Sequence, residues 1–350
     1  MKFQFRTFAL TLLATAVAAG APAQADEIAD FYKDKKITAI SGGGAGGGFS
    51  FAARLLGRHI EKYIPGDPTW VVTAMPGAGG ARSVKYIVNA AAQDGTVVGV
   101  VLPPSIISPM LRSGVGYDST KLRWIGSITP MASVLSVWHD SPAKTIKQLK
   151  TTEITTATSS KLSSGYLFPA WINHVQGTKW KIISGYRGGD RQNNAMQKGE
   201  VNGRSSFYAS YKTTKPHWLR DKKIVHVVYM GPREKELDDT GVPHAEDLMK
   251  TFEQKQVLNF LQTGGKVGHG FFVSPSVPMA RVEALRAAFD KAVADPAFLA
   301  EAKKRNQVVN PVKGAALDRI VADGLSTDKE VVARFKKAIK LGKGEAPKKK

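Results

Sequence analysis

The sequence contains no cysteine. That absence excludes disulfide staples, thiolate nucleophiles, cysteine-ligated zinc and iron–sulfur clusters. Long apolar runs are missing too. The longest, Phe8 to Ala19, holds 12 residues, whereas a bilayer-spanning helix needs about 20. Acidic residues are scarce, 29 Asp and Glu against 50 Lys and Arg, which leaves a formal charge of +21. Such an excess favours anionic ligands or surfaces and says nothing of the fold. The 7 histidines show no His-x-x-x-His or Glu-x-x-His spacing, so no helix face offers a metal site. Gly-x-Ser-x-Gly and paired carboxylates at a strand end are also lacking, which removes the usual hydrolase readings. No enzyme activity, no cofactor and no metal is expected.

What is present begins with an export signal. Lys2 and Arg6 precede the apolar stretch, and Ala23-Gln24-Ala25 makes a small-x-small cleavage site. Residues 1–25 are therefore expected to be removed after Ala25, leaving a periplasmic protein. Residues 26 to 36 read as a polar lead-in.

The stretch Ile37 to Ile60 organises the rest of the chain. A β-branched run leads into six glycines between positions 42 and 48, and then a helical stripe begins: Ala52, Leu55, Leu56, Ile60 and Tyr63. Strand, glycine loop and helix in that order bring bare backbone to a helix N-terminus, where free N–H groups and the dipole favour an anion. Gly42, Gly44 and Gly47 match a dinucleotide fingerprint, but the next strand, Trp70 to Met75, ends without the ribose-binding acid. The lysine of a phosphate-binding P-loop is absent as well. A cradle for a carboxylate is the better reading.

The pattern repeats. Pro76 to Gly80 is a second glycine loop before a helix, and Val97 to Leu102 a buried strand ended by Pro103-Pro104-Ser105. This β–α–β–α–β order predicts a mainly parallel sheet with ligands beyond the strands' carboxyl ends. Further on, the hydroxyl-rich loop Thr158 to Gly165 and the loop Gly185 to Gly189 precede helices in the same way. A second α/β lobe inserted in the first is expected, with residues 129–226 as that insert. The first lobe takes 26–128 and about 227–350, and Ile224 to Met230 is expected to lead back to it. The basic tail Lys336 to Lys350 is expected to fray.

Six segments in order carry a family resemblance: GFSFAARLL from Gly48, PGAGG from Pro76, AAQDGTVVG from Ala91, GYRGG from Gly185, GEVNG from Gly199, and Val273 to Phe298. With them the chain resembles the Bug-type extracytoplasmic solute receptors, the substrate-binding proteins of tripartite tricarboxylate transporters. The resemblance implies a two-lobed Venus flytrap that closes on a small carboxylic acid and delivers it to a membrane permease. It also implies a monomer that holds the carboxylate by backbone N–H groups and hydroxyls from both lobes.

On this reading the candidate ligand-binding residues are Gly48, Phe49, Ser50, Ser105, Ser159, Ser160, Ser164, Tyr186, Arg187, Gly188, Ser206 and Phe207. Arg187, between glycines, is either the cation whose fork meets a carboxylate or a solvated surface arginine. The family's usual Asp after the glycine loop is Ser50 here, which argues against an amino-acid ligand. Phe49, Phe207 and Tyr166 suit an aromatic or longer aliphatic acid, and a di- or tricarboxylate is the other class expected. The contrasting reading is a basic periplasmic protein that binds envelope polyanions or nucleic acid. Against it, the basic residues are spread along the chain and concentrated only in the tail, so no nucleic acid partner is expected.

Overall fold

The computed structural model describes residues 20–186 and 188–341, with side chains from Asp26 onward. Most of the expected signal, Arg187 and the tail from 342 lie outside the described residues.

Two sheets share the chain. Strands β1 (Lys36–Ser41), β2 (Thr69–Ala74), β3 (Val97–Val100) and β4 (Arg123–Ser127) form the first sheet with two later strands, β10 (Gly270–Val273) and β11 (Val312–Lys313). Its order is β11-β4-β10-β3-β1-β2. The second sheet takes β5 (Ser133–Trp138), β6 (Ile154–Thr158), β7 (Trp180–Ser184), β8 (Gly203–Phe207) and β9 (Ile224–Met230), in the order β7-β6-β8-β5-β9. Most strands of each sheet point one way, but both sheets are mixed, and five of the nine strand pairings are antiparallel. β1 to β4 run one way with β10 and β11 against them, and in the second sheet β5 alone opposes its neighbours.

The glycine-loop helix spans Gly48–Ile60, and its expected stripe is its buried face: Ala52, Leu55, Leu56 and Ile60 are all at most 1% exposed. Each leucine or isoleucine so buried contributes about 1.5–3 kcal/mol. β10 had no expectation in the sequence. It lies antiparallel between β3 and β4, with Phe271 and Phe272 fully buried. Gly99 on β3 makes room for it, since a Cβ there would come within 2.2 Å of the Phe272 ring.

Three readings need correction. The polar lead-in expected at residues 26 to 36 is instead part of the packed fold: the helix Gly20–Tyr32 buries Ile28 and Tyr32, four residues apart on one face, and β1 starts at Lys36. The bond after Ala25 lies within that helix. Ile224 to Met230 does not return to the first lobe, because β9 pairs along its length with β5. Nor do residues 329–341 stay with the first lobe. The helix Lys329–Ala338 sets Val331, Val332 and Phe335 into the core of the second, with Phe335 edge-on to Trp171 at 5.5 Å.

The lobes join at three places: the helix Lys329–Ala338 is one, and the other two lie together. The segment between β4 and β5 bonds to the end of the helix Phe252–Val267 through Met131 N–H to the Gly265 carbonyl (2.8 Å) and His269 N–H to Thr129 (3.1 Å). That helix starts among second-lobe residues with Val257, Leu258 and Phe260, and Val267 ends it in the first-lobe core.

Candidate functional site

Carboxyl ends of strands from both sheets meet at a cleft. From the first lobe it is lined by Gly46 to Phe49, Gly79 and Leu102 to Pro104. From the second it is lined by the loops after β6 and β7, the end of β8, and the helix Tyr208–Thr214. Four longer helices begin here: Gly48–Ile60, Pro103–Leu111, Ser164–Gln176 and Gly189–Gln197. None is capped by the side chain of its N-cap residue. The second, opened by two prolines, has no N–H at those positions to offer, while the other three leave first-turn N–H groups unpaired within the helix. Together they give the cleft a positive field without any basic side chain.

The glycine loop is shaped by its own backbone. Gly47 N–H bonds to Gly44 O at 2.9 Å, the Ser50 hydroxyl donates to the same carbonyl at 2.9 Å, and Arg54 donates to Ala45 O at 3.0 Å. Around Gly44, Gly46 and Gly48 nothing lies within 4 Å of where a Cβ would stand. The side chains missing there leave open space over the helix N-terminus. Phe49 closes the first-lobe side; its ring meets His269 edge-on at 4.9 Å and the second lobe's Phe207 at 6.3 Å. His269 is buried, and burial pushes its pKa down to about 4.

The second lobe contributes side chains. Arg204 on β8 is the only buried lysine or arginine among the described residues, at 8% exposure. Its Nε donates to Ser205 O (3.2 Å), Nη1 to Gly189 O (2.8 Å) and to Asn193 Oδ1 (2.7 Å), and Nη2 to Ser206 Oγ (3.2 Å). A guanidinium has five donors, so one Nη2 hydrogen remains. No carboxylate among the described residues forms an ion pair with it; the acid it senses is the exposed Asp190, at a distance. Burial lowers its pKa. The Ser206 oxygen accepts from Arg204, which leaves its own proton to be donated elsewhere. Beside it the Tyr211 hydroxyl is enclosed next to the Ser136 and Ser206 hydroxyls, without a well-aligned hydrogen bond among the described residues, and burial raises its pKa while those neighbours oppose the shift.

The expected site residues divide accordingly. Gly48, Phe49, Ser159, Ser164, Gly188, Ser206 and Phe207 all line the cleft. Four others do not. Ser50 is spent on the glycine loop, and Ser105, 1% exposed, donates to Leu102 O at 2.7 Å. Ser160 offers its carbonyl to the Ser163 hydroxyl at 2.8 Å, tying the loop to itself. Tyr186 packs against the core of the second lobe. Arg187 lies outside the described residues. Sequence reading passed over Arg204, Asn193, Gln192 and Tyr211. An arginine at the start of a strand otherwise made of small residues and one phenylalanine was the available signal.

The family model of the tripartite tricarboxylate transporter family receptor matches residues 53–336. The chain belongs to this family. Its members are solute-binding receptors, not enzymes. Among solved structures it is similar to the periplasmic binding protein BugD, at 20% identity over 88% of this chain and 98% of that one, with a TM-score of 0.66. It is also similar to MatC of Rhodopseudomonas palustris with bound malate, at 18% identity over 87% and 99%, TM-score 0.65. A third is an adipate-bound protein of Rhodopseudomonas palustris, at 16% identity over 87% and 96%, TM-score 0.63. No curated protein matches the chain. The fold is thus the two-lobed one of these receptors. No helix among the described residues is long and apolar enough to cross a membrane, and none of their side chains cluster as a metal site.

Proposed function

We propose that this receptor is exported, cleaved after Ala25, and acts as a periplasmic monomer that captures a small carboxylic acid between its lobes. It then delivers the acid to the membrane permease of a tripartite tricarboxylate transporter. The ligand is a di- or tricarboxylate or an aromatic acid, and the malate- and adipate-bound relatives support the carboxylate class. Gly48, Phe49, Ser159, Ser164, Gly188, Ser206 and Phe207 contact it, joined by Arg204 and Tyr211; Arg187 is a further candidate.

The carrying observation is Arg204. A buried guanidinium is costly without a counter-charge, and this one faces a cleft whose helix N-termini also favour an anion. A ligand carboxylate fills that need through the remaining Nη2 hydrogen and the Ser206 and Tyr211 hydroxyls. Contacts from both lobes favour the closed state, so binding shifts the population toward closure about the crossovers at 128–132 and 265–269.

The experiment is a thermal-shift series with malate, citrate, adipate, benzoate and amino acids, then calorimetry on any acid that acts. A ligand at about 100 times its Kd adds roughly 2.7 kcal/mol of stability. A rise with one acid class supports the reading and names the class. A rise with amino acids alone, or with nothing, contradicts it. Mass spectrometry of the periplasmic form tests cleavage after Ala25.

A further inference from the structure

Lysines that are scattered in sequence gather at one end of the second lobe. The amino ends of β6, β7, β8 and β9 and the carboxyl end of β5 share that end, laced together by backbone bonds. Trp138 N–H reaches Asn202 O (2.7 Å), His139 N–H reaches Lys223 O (3.0 Å), and Lys179 N–H reaches Leu149 O (2.8 Å). The loops so joined present Lys147, Lys150, Lys179, Lys198, Lys222 and Lys223, every one exposed and none in an ion pair among the described residues. The acids nearby are Asp140, Glu153, Glu200 and Asp221. Two of these are engaged already, Glu153 with Lys181 at 3.6 Å and Asp221 with Arg220 at 2.8 Å. A clear positive excess remains.

None of these lysines lines the cleft, and the carboxyl-end loops that form it lie a strand's length away, about 16 Å for five residues, so this surface is not part of the ligand site. None of the large exposed apolar side chains (Val71, Tyr86, Phe252, Met279, Leu299, Val308) falls within it. A protein partner is ordinarily held by buried aromatic or apolar anchors. Hydrated, flexible lysine ammoniums without such anchors fit a diffuse field of negative charge. We infer that this end of the second lobe is a docking surface for an anionic lipid membrane. Attachment there leaves the cleft and the whole first lobe free, and confines the receptor to the surface where its permease resides.

The test is flotation of the purified protein with phosphatidylcholine vesicles, with and without phosphatidylglycerol, at low and physiological salt. Binding is expected only to the anionic vesicles and to weaken with salt, as screening shortens the field to about 8 Å. Reversal of three patch charges (Lys150→Glu, Lys179→Glu, Lys222→Glu) should weaken it at least roughly 100-fold at low salt. The same three positions changed to Gln give a milder set whose melting temperature verifies folding. An equal reversal on the first lobe (Lys33→Glu, Lys36→Glu, Lys291→Glu), and a chain ending at Leu341, should keep most of the binding. Equal loss in the first-lobe control, loss on removing the tail alone, or equal binding to neutral vesicles would each overturn the proposal. None of these readouts depends on the acid that the cleft takes.

Discussion

Both walls of the cleft carry free helix N-termini, and they differ in what surrounds them. The first lobe offers backbone: a glycine loop whose nearby polar side chains, Ser50 and Arg54, are consumed in holding the loop itself. The second offers side chains: a buried arginine, two amides and several hydroxyls. Backbone N–H groups at a helix N-terminus attract any anion of the right size. A guanidinium and a phenol enclosed at fixed points discriminate by shape and by what they leave unpaired when the wrong ligand enters. On the proposed function, the helix N-termini of both lobes attract the anion and the side chains of the second lobe supply the selectivity.

The comparison breaks first at Arg204. Arg204→Met is expected to lower affinity for the cognate acid by roughly 10- to 100-fold, the worth of a charge-assisted hydrogen bond. The melting temperature without ligand should hold or rise, since a buried unpaired charge is removed. Calorimetry and a melting curve on the same preparation decide it; undiminished affinity removes Arg204 from the site.

Acid sharpens the comparison next, through one enclosed histidine near the cleft in each lobe, His269 fully buried and His226 partly so. His269 supports Phe49 in the first lobe, and His226 sits between Tyr208 and Tyr211 in the second. Burial holds both pKa values near 4, below the ordinary 6.5. Between those values the unfolded chain binds more protons than the folded one. Stability is therefore full above pH 6.5 and declines as pH falls toward 4, by roughly 3 kcal/mol per ring. Denaturant titrations from pH 7 to pH 4 should show this slope, and His269→Gln or His226→Gln should each remove about half of it.

A smaller effect tests the backbone wall. Gly80 has φ +93°, and a Cβ there would lie 2.7 Å from that of Leu102. Gly80→Ala should destabilise the protein by about 1–3 kcal/mol through strain alone, measured by denaturant unfolding. Smallest of all, Ser50→Ala removes one loop hydrogen bond, costing about 1 kcal/mol of stability and leaving affinity within roughly threefold. A large loss of affinity in Ser50→Ala would return that serine to the ligand.

The glycine-loop helix was legible because its periodicity is local: four core positions follow from spacing on one helix. β10 was not, since four residues with Phe271 and Phe272 carry no period to read, and only a place between β3 and β4 makes them a strand. The cleft-lining serines divided for a similar reason. A hydroxyl in a loop caps, braces or faces the ligand according to neighbours at hydrogen-bonding distance, and in the 158–165 loop Ser160 and Ser163 brace one another.

By itself the sequence determined the family, the two α/β lobes and the placement of the glycine and hydroxyl loops at strand carboxyl ends. These rest on order and spacing along the chain. Tertiary structure alone decided that Arg204 is buried without a carboxylate beside it. It also decided that lysines from position 147 to position 223 share one surface. Charge acts through space, and the distances that set its strength exist only once the strands are paired.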